Sequence, residues 1–230
     1  MIHARTLGVV ALGLVVSTAP LHGQGRSRYR DFQLGGDLPS VSALSGVAAS
    51  EVRIIHVRPA LMQELQWRRG YSLSDPTAAT DPVQQIVFSF YNDQLTKLVV
   101  DYDRDRTAGM TDADMIEAIS AAYGAPLKPA LKKTRAPASH VEEESGAPVA
   151  RWGDDDYSVM LYRSSYASGF RIIVIATRLE ALARTADAQA IRLDQREAPQ
   201  REIAREKKEV EDTRLSQAKA RAANKAAFRP

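Results

Sequence analysis

The 230-residue chain contains no cysteine. That absence removes disulfides, thiolate zinc sites, iron–sulfur clusters, thiol catalysis and lipid attachment through an N-terminal Cys. Histidine is scarce, with four residues, and two of them, His3 and His22, lie in a segment that reads as a cleavable leader. Multi-histidine metal sites and histidine-based triads are therefore disfavoured. Aromatic residues make up 7% of the chain, and no apolar run reaches the ~20 residues that a spanning helix needs. With 44% hydrophobic and 26% charged residues, the composition suits one globular domain or two small ones, held by a core without covalent staples.

The N-terminus carries the clearest targeting signal. Arg5 is the only fixed charge before an uncharged apolar run from Leu7 to Val16, and Ser17, Thr18, Ala19 and Pro20 end that run. A positive start, a short apolar core and a small-residue exit make a secretory signal peptide over 1–24, cleaved between residues 19 and 25. A short anchor left in place is the alternative. The expectation is an exported protein, periplasmic or extracellular, with no stable membrane span after cleavage.

Charge is unevenly distributed. The total is +3, yet residues 181–230 hold twelve Lys/Arg against eight Asp/Glu, which leaves residues 25–180 at −2. The tail has one aromatic, Phe228, and lacks the dense basic patch with interleaved aromatics that nucleic-acid binding calls for. No nucleic-acid partner is expected. Anionic lipid headgroups or cell-wall polymers could make a weak contact with the tail; otherwise it is a solvated helix.

Pattern along the body predicts α+β structure built on antiparallel sheet. Pro39 sits in the first turn of a short helix with Leu38, Val41 and Leu44 spaced three apart, and Gly46 stops it. Val52–Arg58 reads as a strand interrupted at Pro59; Leu61–Arg69, containing Leu65 and Trp67, fits strand or helix and is read as a strand. Asp75–Pro82 is turn-rich. Gln85–Tyr91 and Leu95–Tyr102 alternate apolar and polar residues around Asn92-Asp93, the clearest hairpin in the chain. Thr111 and Asp114 form a capping-box pattern before the stripe Met115, Ile119, Tyr123, closed by Gly124. Residues 127–149 are polar and read as an exposed loop or loose hairpin. Strands follow from Arg151-Trp152, through the acidic turn Gly153–Asp156, into a hairpin of Ser158–Arg163 and Phe170–Thr177.

The two tryptophans each open a strand set preceded by a helix. This suggests two diverged α-β-β-β repeats, about 85 residues apart, over residues 25–105 and 106–180, followed by a charged helical tail at 181–230. Gly109-Met110-Thr111, Met115, Ile119 and Gly124-Ala125-Pro126 are similar to the G-M-T…V…L-G-x-P stretch of the SmpA/OmlA (BamE) family. The Trp67 strand followed by I-V-F-S-F-Y-N-D-Q-L resembles that family's W-x-Y and V-x-F-x-N-x-x-L strands, and the tandem unit resembles the β-lactamase inhibitor protein architecture. The resemblance covers about residues 30–178 and implies outer-membrane assembly scaffolding or protein inhibition. Two departures stand against it: the helix between Gly109 and Gly124 is longer than the family pattern, and the chain has no lipid-attachment Cys.

Sites in the body carry modest signals. Asp101, Asp103, Asp105 and Asp112 match positions one, three, five and twelve of a calcium loop, but Arg106 replaces the required Gly and Asp112 the bidentate Glu. Arg104 and Arg106 compete for the same carboxylates. Asp154–Asp156 is a second acidic cluster, most simply a solvated turn. His56 lies in an apolar strand with no motif around it, and His140 falls in the polar loop. Ser164, Ser165 and Ser168 lack the G-x-S-x-G elbow, and no phosphate-cradling Gly loop occurs. Trp67 and Trp152 read as core anchors. No catalytic, cofactor or metal residue is assigned.

In the tail, Leu179, Leu182 and Ile191 are expected to pack on the body, with Pro199 separating them from an exposed helix at 201–227. There Arg205–Glu209, Lys207–Glu211 and Lys208–Asp212 are i,i+4 pairs in the weaker base-first order. The reading is an exported, non-enzymatic envelope protein that binds an envelope protein partner through its sheet face or tail. A cell-wall or small-ligand binding module, calcium-assisted or not, stands second, and an envelope hydrolase third.

Overall fold

The computed structural model describes residues 27–70, 80–128, 145–163 and 169–229. The leader, most of the Asp75–Pro82 loop, the polar segment 129–144 with His140, and Ser164, Ser165 and Ser168 lie outside the described residues.

Seven strands form one antiparallel sheet: β3 (Arg53–His56), β4 (Met62–Arg68), β5 (Val83–Tyr91), β6 (Gln94–Tyr102), β7 (Ala147–Gly153), β8 (Tyr157–Arg163) and β9 (Phe170–Ala176), in the spatial order β3-β4-β5-β6-β9-β8-β7. Among the described residues a two-stranded ribbon, β1 (Arg28–Tyr29) and β2 (Phe32–Gln33), and three α-helices accompany it in an α+β fold: α1 (Leu38–Ser45), α2 (Asp112–Tyr123) and α3 (Thr177–Ala227).

Local chemistry explains the element ends. The Asp37 side chain accepts from the Ser40 backbone N–H at 2.9 Å at the start of α1, and Gly46 ends it at φ 72°. At α2 the capping box is complete: the Asp114 N–H donates to Thr111 Oγ1 at 3.2 Å, and the Thr111 N–H donates to Asp114 Oδ2 at 2.8 Å. Asn92 and Asp93 both take left-handed conformations, φ 46° and 65°, which a two-residue hairpin needs to follow the strand twist.

Alternation then sends the large side chains to one face. Leu65, Ile86, Phe88, Leu98, Val100, Leu161, Ile172 and Val174 meet Leu38 and Val41 of α1, Met115, Ile119 and Tyr123 of α2, and Tyr29 and Phe32 of the ribbon in one core. Trp152 is fully buried there and its Nε1–H donates to Ser120 Oγ at 3.1 Å; Trp67 packs half-buried against the same core. On the opposite face Val99, Tyr162, Ile173 and Ile175 form a smaller cluster.

The last strands of the two strand sets, β6 and β9, pair at the sheet centre, and β4 and β7, with Trp67 and Trp152, lie outward. Among the described residues the first set carries an additional outer strand, β3. Strand β7 begins at Ala147, inside the stretch read as loop from sequence. Among the described residues β7 is the outermost strand, and an edge position tolerates Pro148 because its outward side has no neighbouring strand to pair with. The acidic turn is tight: Asp154 Oδ1 accepts from the Asp156 and Tyr157 N–H groups, both at 3.0 Å. Gly153 is required before it, since at φ 124° an added Cβ would sit 2.1 Å from the Tyr157 carbonyl oxygen.

The largest correction concerns α3. Pro199 lies inside one 51-residue helix and does not divide it. Pro removes one N–H from the helix ladder, but here the turn is exposed and water can satisfy the carbonyl left over. Leu182 and Ile191, expected to pack on the body, are 52% and 46% exposed, and the buried residues are Glu180, Ala183, Ala186 and Ala190. Small side chains let the helix axis come close to the sheet, which a leucine face would prevent.

Candidate functional site

The sheet face opposite the main core presents a polar row. Arg53, Glu64, Ser89 and Lys97 stand in register across β3, β4, β5 and β6. The first turns of α3 cross above this row, and their buried acid, Glu180, meets it. Glu180 is 5% exposed. Its carboxylate lies 3.3 Å from Thr96 Oγ1, 3.4 Å from Lys97 Nζ and 3.3 Å from Arg184 Nε. The Thr96 hydroxyl is also 3.1 Å from the Ser89 carbonyl oxygen, so one proton serves two acceptors. A buried acid facing a half-buried lysine fixes where the helix starts, because removing either partner leaves a charge in a poorly solvated place.

Further along α3 the contacts move to the outer strand. His56 Nε2 is 3.1 Å from Asp187 Oδ1, Nδ1 is 3.9 Å from Asp194 Oδ2, and Arg58 pairs with Glu197 at 2.8 Å. Both ring nitrogens of His56 therefore face carboxylates of one helix. A general base needs one ring nitrogen aimed at a nucleophile, so this arrangement suits a clasp between β3 and α3 better than proton transfer. Beneath the helix a cavity of about 200 Å³ is lined by Met62, Gln63, Ser89, Phe90, Thr96 and Ala183, among others. Ser89, whose side chain shares the face of Glu64 and Lys97, has its Oγ buried without a hydrogen bond to protein.

Beyond Glu197 the helix leaves the body. Every residue from 198 to 229 is exposed, including Ile203, Val210, Leu215 and Phe228. Thirty helical residues from 198 to 227 extend about 45 Å. Ion pairing on this arm runs acid-first, with Arg201 to Glu197 and Asp194, and Arg205 to Glu202 at 2.5 Å. Arg205 thus turns back toward Glu202, where the sequence reading had it pair forward with Glu209. The acid-first order is the more favourable one on a helix.

The acidic loop is organised by arginines. Asp101 pairs with Arg171 at 2.6 Å, Asp103 with Arg69, and Asp112 with Arg163 at 2.6 Å. Burial pushes the Asp103 carboxyl up, but hydrogen bonds from the Arg106 N–H, the Arg69 guanidinium and the Asp105 N–H outweigh it and hold the group below its ordinary value. Three of the four carboxylates aligned by sequence spacing thus turn to three different arginines. Among the described residues no group of three or more His, Cys, Asp or Glu could hold a metal ion.

Comparison with known proteins returns no matching family model, curated protein or solved structure. The geometry stands alone. Among the described residues no helix is long and apolar enough to cross a membrane.

Sequence reasoning singled out His56 but missed its partners, since Asp187 and Asp194 lie more than a hundred residues away along the chain. It also missed Glu180. The available signal was the spacing of Ala183, Ala186 and Ala190 at i, i+3, i+7, a small-residue stripe that marks close helix packing as clearly as a leucine stripe does.

Proposed function

We propose that this is an exported, non-enzymatic envelope protein that binds a protein partner through the arm of α3. The observation that carries the reading is the contrast within that helix: its start is anchored by buried Glu180, and every residue from 198 to 229 is exposed. An isolated helix of this length gains little from propensity alone in water. Its exposed Ile203 and Val210, seven residues apart and so on one side, gain free energy when a partner covers them. The SmpA/OmlA-like stretch supports a scaffolding role of the same kind. The signal-peptide pattern supports a periplasmic or extracellular location.

In-cell crosslinking followed by pull-down tests this, comparing the full chain with one ending at Gln200. The expected result is a specific envelope protein that, once purified, binds the full chain and not the shortened one. Equal binding by both forms, or by neither, defeats the assignment of the arm. The cavity beneath α3, lined by Ser89 with its unpaired buried hydroxyl, favours a small-ligand module as the second reading. A rise in melting temperature with a small polyol or amide, abolished by Ser89→Val, would support that one instead.

A further inference from the structure

The arm divides into two chemically different stretches. Residues 198–212 carry four Lys/Arg and five Asp/Glu, and the exposed β-branched residues Ile203 and Val210 are here. Residues 213–229 carry five Lys/Arg, namely Arg214, Lys219, Arg221, Lys225 and Arg229, and no acid. From this segregation we infer that the distal stretch is a contact for an anionic phospholipid surface.

Helix geometry places the cations on one side. At 3.6 residues per turn, Arg214, Arg221 and Lys225 fall within about 40° of one another and span about 16 Å along the axis. Leu215, Ala218, Ala222, Ala226 and Lys219 flank them, so all four helical cations and the one large apolar residue share a sector of about 160°. The opposite sector holds small or uncharged residues, such as Ser216, Gln217, Ala220 and Asn224. Phe228, 72% exposed, follows immediately. A flat anionic surface can meet all of these groups together, whereas a globular partner would meet a few.

The proximal stretch could not do this, because its five acids cancel its four bases within a Debye length of about 8 Å. The arm also carries the cations away from residues 25–180, whose net charge is −2. A lipid surface fits better than nucleic acid because the cations alternate with alanine and only Phe228 offers a ring for base stacking. The attraction is reversible and salt-sensitive, since apolar area in this stretch is small.

The test is co-sedimentation of the full chain with vesicles of mixed phosphatidylglycerol and phosphatidylcholine, against phosphatidylcholine alone. Binding is expected only to the anionic vesicles and is expected to fall as salt rises. Each basic residue near such a surface contributes about fivefold in partition, so removing three cations loses about a hundredfold, and the triple reversal Arg214→Glu, Arg221→Glu, Lys225→Glu should lose well beyond that. The triple change to uncharged Gln should lose about a hundredfold, and Arg214→Lys with Arg221→Lys should keep binding. These side chains are exposed, so circular dichroism should be unchanged.

A chain ending at Asp212 separates this inference from the protein-binding reading: it should lose the vesicles and keep the protein partner. No binding of the full chain to anionic vesicles at low salt would overturn the inference. Vesicle binding retained by the triple reversal would do the same, as would tighter binding to a single-stranded oligonucleotide than to the vesicles.

Discussion

The root and the arm of α3 are one continuous helix held by different means. Between Thr177 and Glu197 the helix is fixed by what it touches: Glu180 against Lys97 and Thr96, three alanines against the sheet, and Asp187 and Glu197 against His56 and Arg58. From residue 198 it has only its own hydrogen bonds and pairs such as Arg205–Glu202. The same secondary structure thus has stability tied to the whole fold in one half and purely local stability in the other. Substitutions should separate the two regimes.

The largest effect is expected at Glu180. Glu180→Ala strands Lys97 beside the sheet, and breaking a buried pair of this kind costs about 3–5 kcal/mol, with the low end fitting a lysine that is still 14% exposed. Equilibrium urea denaturation should show the loss, and Glu180→Gln, which keeps an acceptor for Thr96, should lose less. A drop within experimental error would mean that the root is not fixed by this contact. Next comes Ala186→Leu. A leucine there must push the helix off the sheet, at about 1–3 kcal/mol, whereas Ala204→Leu on the arm should stay within about 0.5 kcal/mol.

This division also marks how far the sequence could be read. Strands, hairpin and α2 were legible because their signals are local: alternation in Ile86, Phe88 and Phe90, the Asn92-Asp93 turn, and the Thr111–Asp114 box. The α+β class followed from them. What failed was long-range. No local rule shows that Asp101, Asp103 and Asp112 would each find a separate arginine, on β9, just after β4 and on β8, when their spacing resembles a cation loop. Leu182 and Ile191 looked like packing residues by type, but the sheet face beneath α3 holds Ser89, Lys97 and Glu64, and only alanines fit close to it. Pro199 was read as a break because Pro disrupts packed helices; on an exposed arm the lost hydrogen bond goes to water.

Acid should weaken the body. Arg30 holds Asp81 through two hydrogen bonds, at 2.8 and 2.6 Å, and with the Val83 N–H overcomes the upward push of burial, keeping the carboxyl below its ordinary value. A carboxyl lowered in the folded state gives stability that is present above its unfolded pKa and lost as pH falls through the folded one. The melting temperature should therefore decline below about pH 4, and Asp81→Asn should flatten that decline while lowering stability at neutral pH. Burial raises Tyr102 well above its ordinary value despite Arg30 nearby, so its neutral phenol gives stability that fades as pH rises past about 10. Tyr102→Phe should reduce the alkaline loss.

The smallest effect on stability should come from the largest deletion. A chain ending at Gln200 removes an arm whose residues are all exposed, so little buried area is lost and the urea midpoint should move by less than about 0.5 kcal/mol equivalent. Helical circular dichroism should nonetheless fall by the share of residues 201–227, because those residues are helical in the full chain. The two readouts diverge only if the arm is helical and uncoupled. A matching drop in stability would mean that the arm folds back onto the body. An unchanged circular dichroism signal would mean that the arm is not helical without a partner. Hydrogen exchange on the full chain refines the same point: amides of residues 183–190 should exchange through global unfolding, and those of 203–225 by local fraying. The point along α3 where protection falls is expected near Glu197, the last residue clasped to the sheet by a side chain.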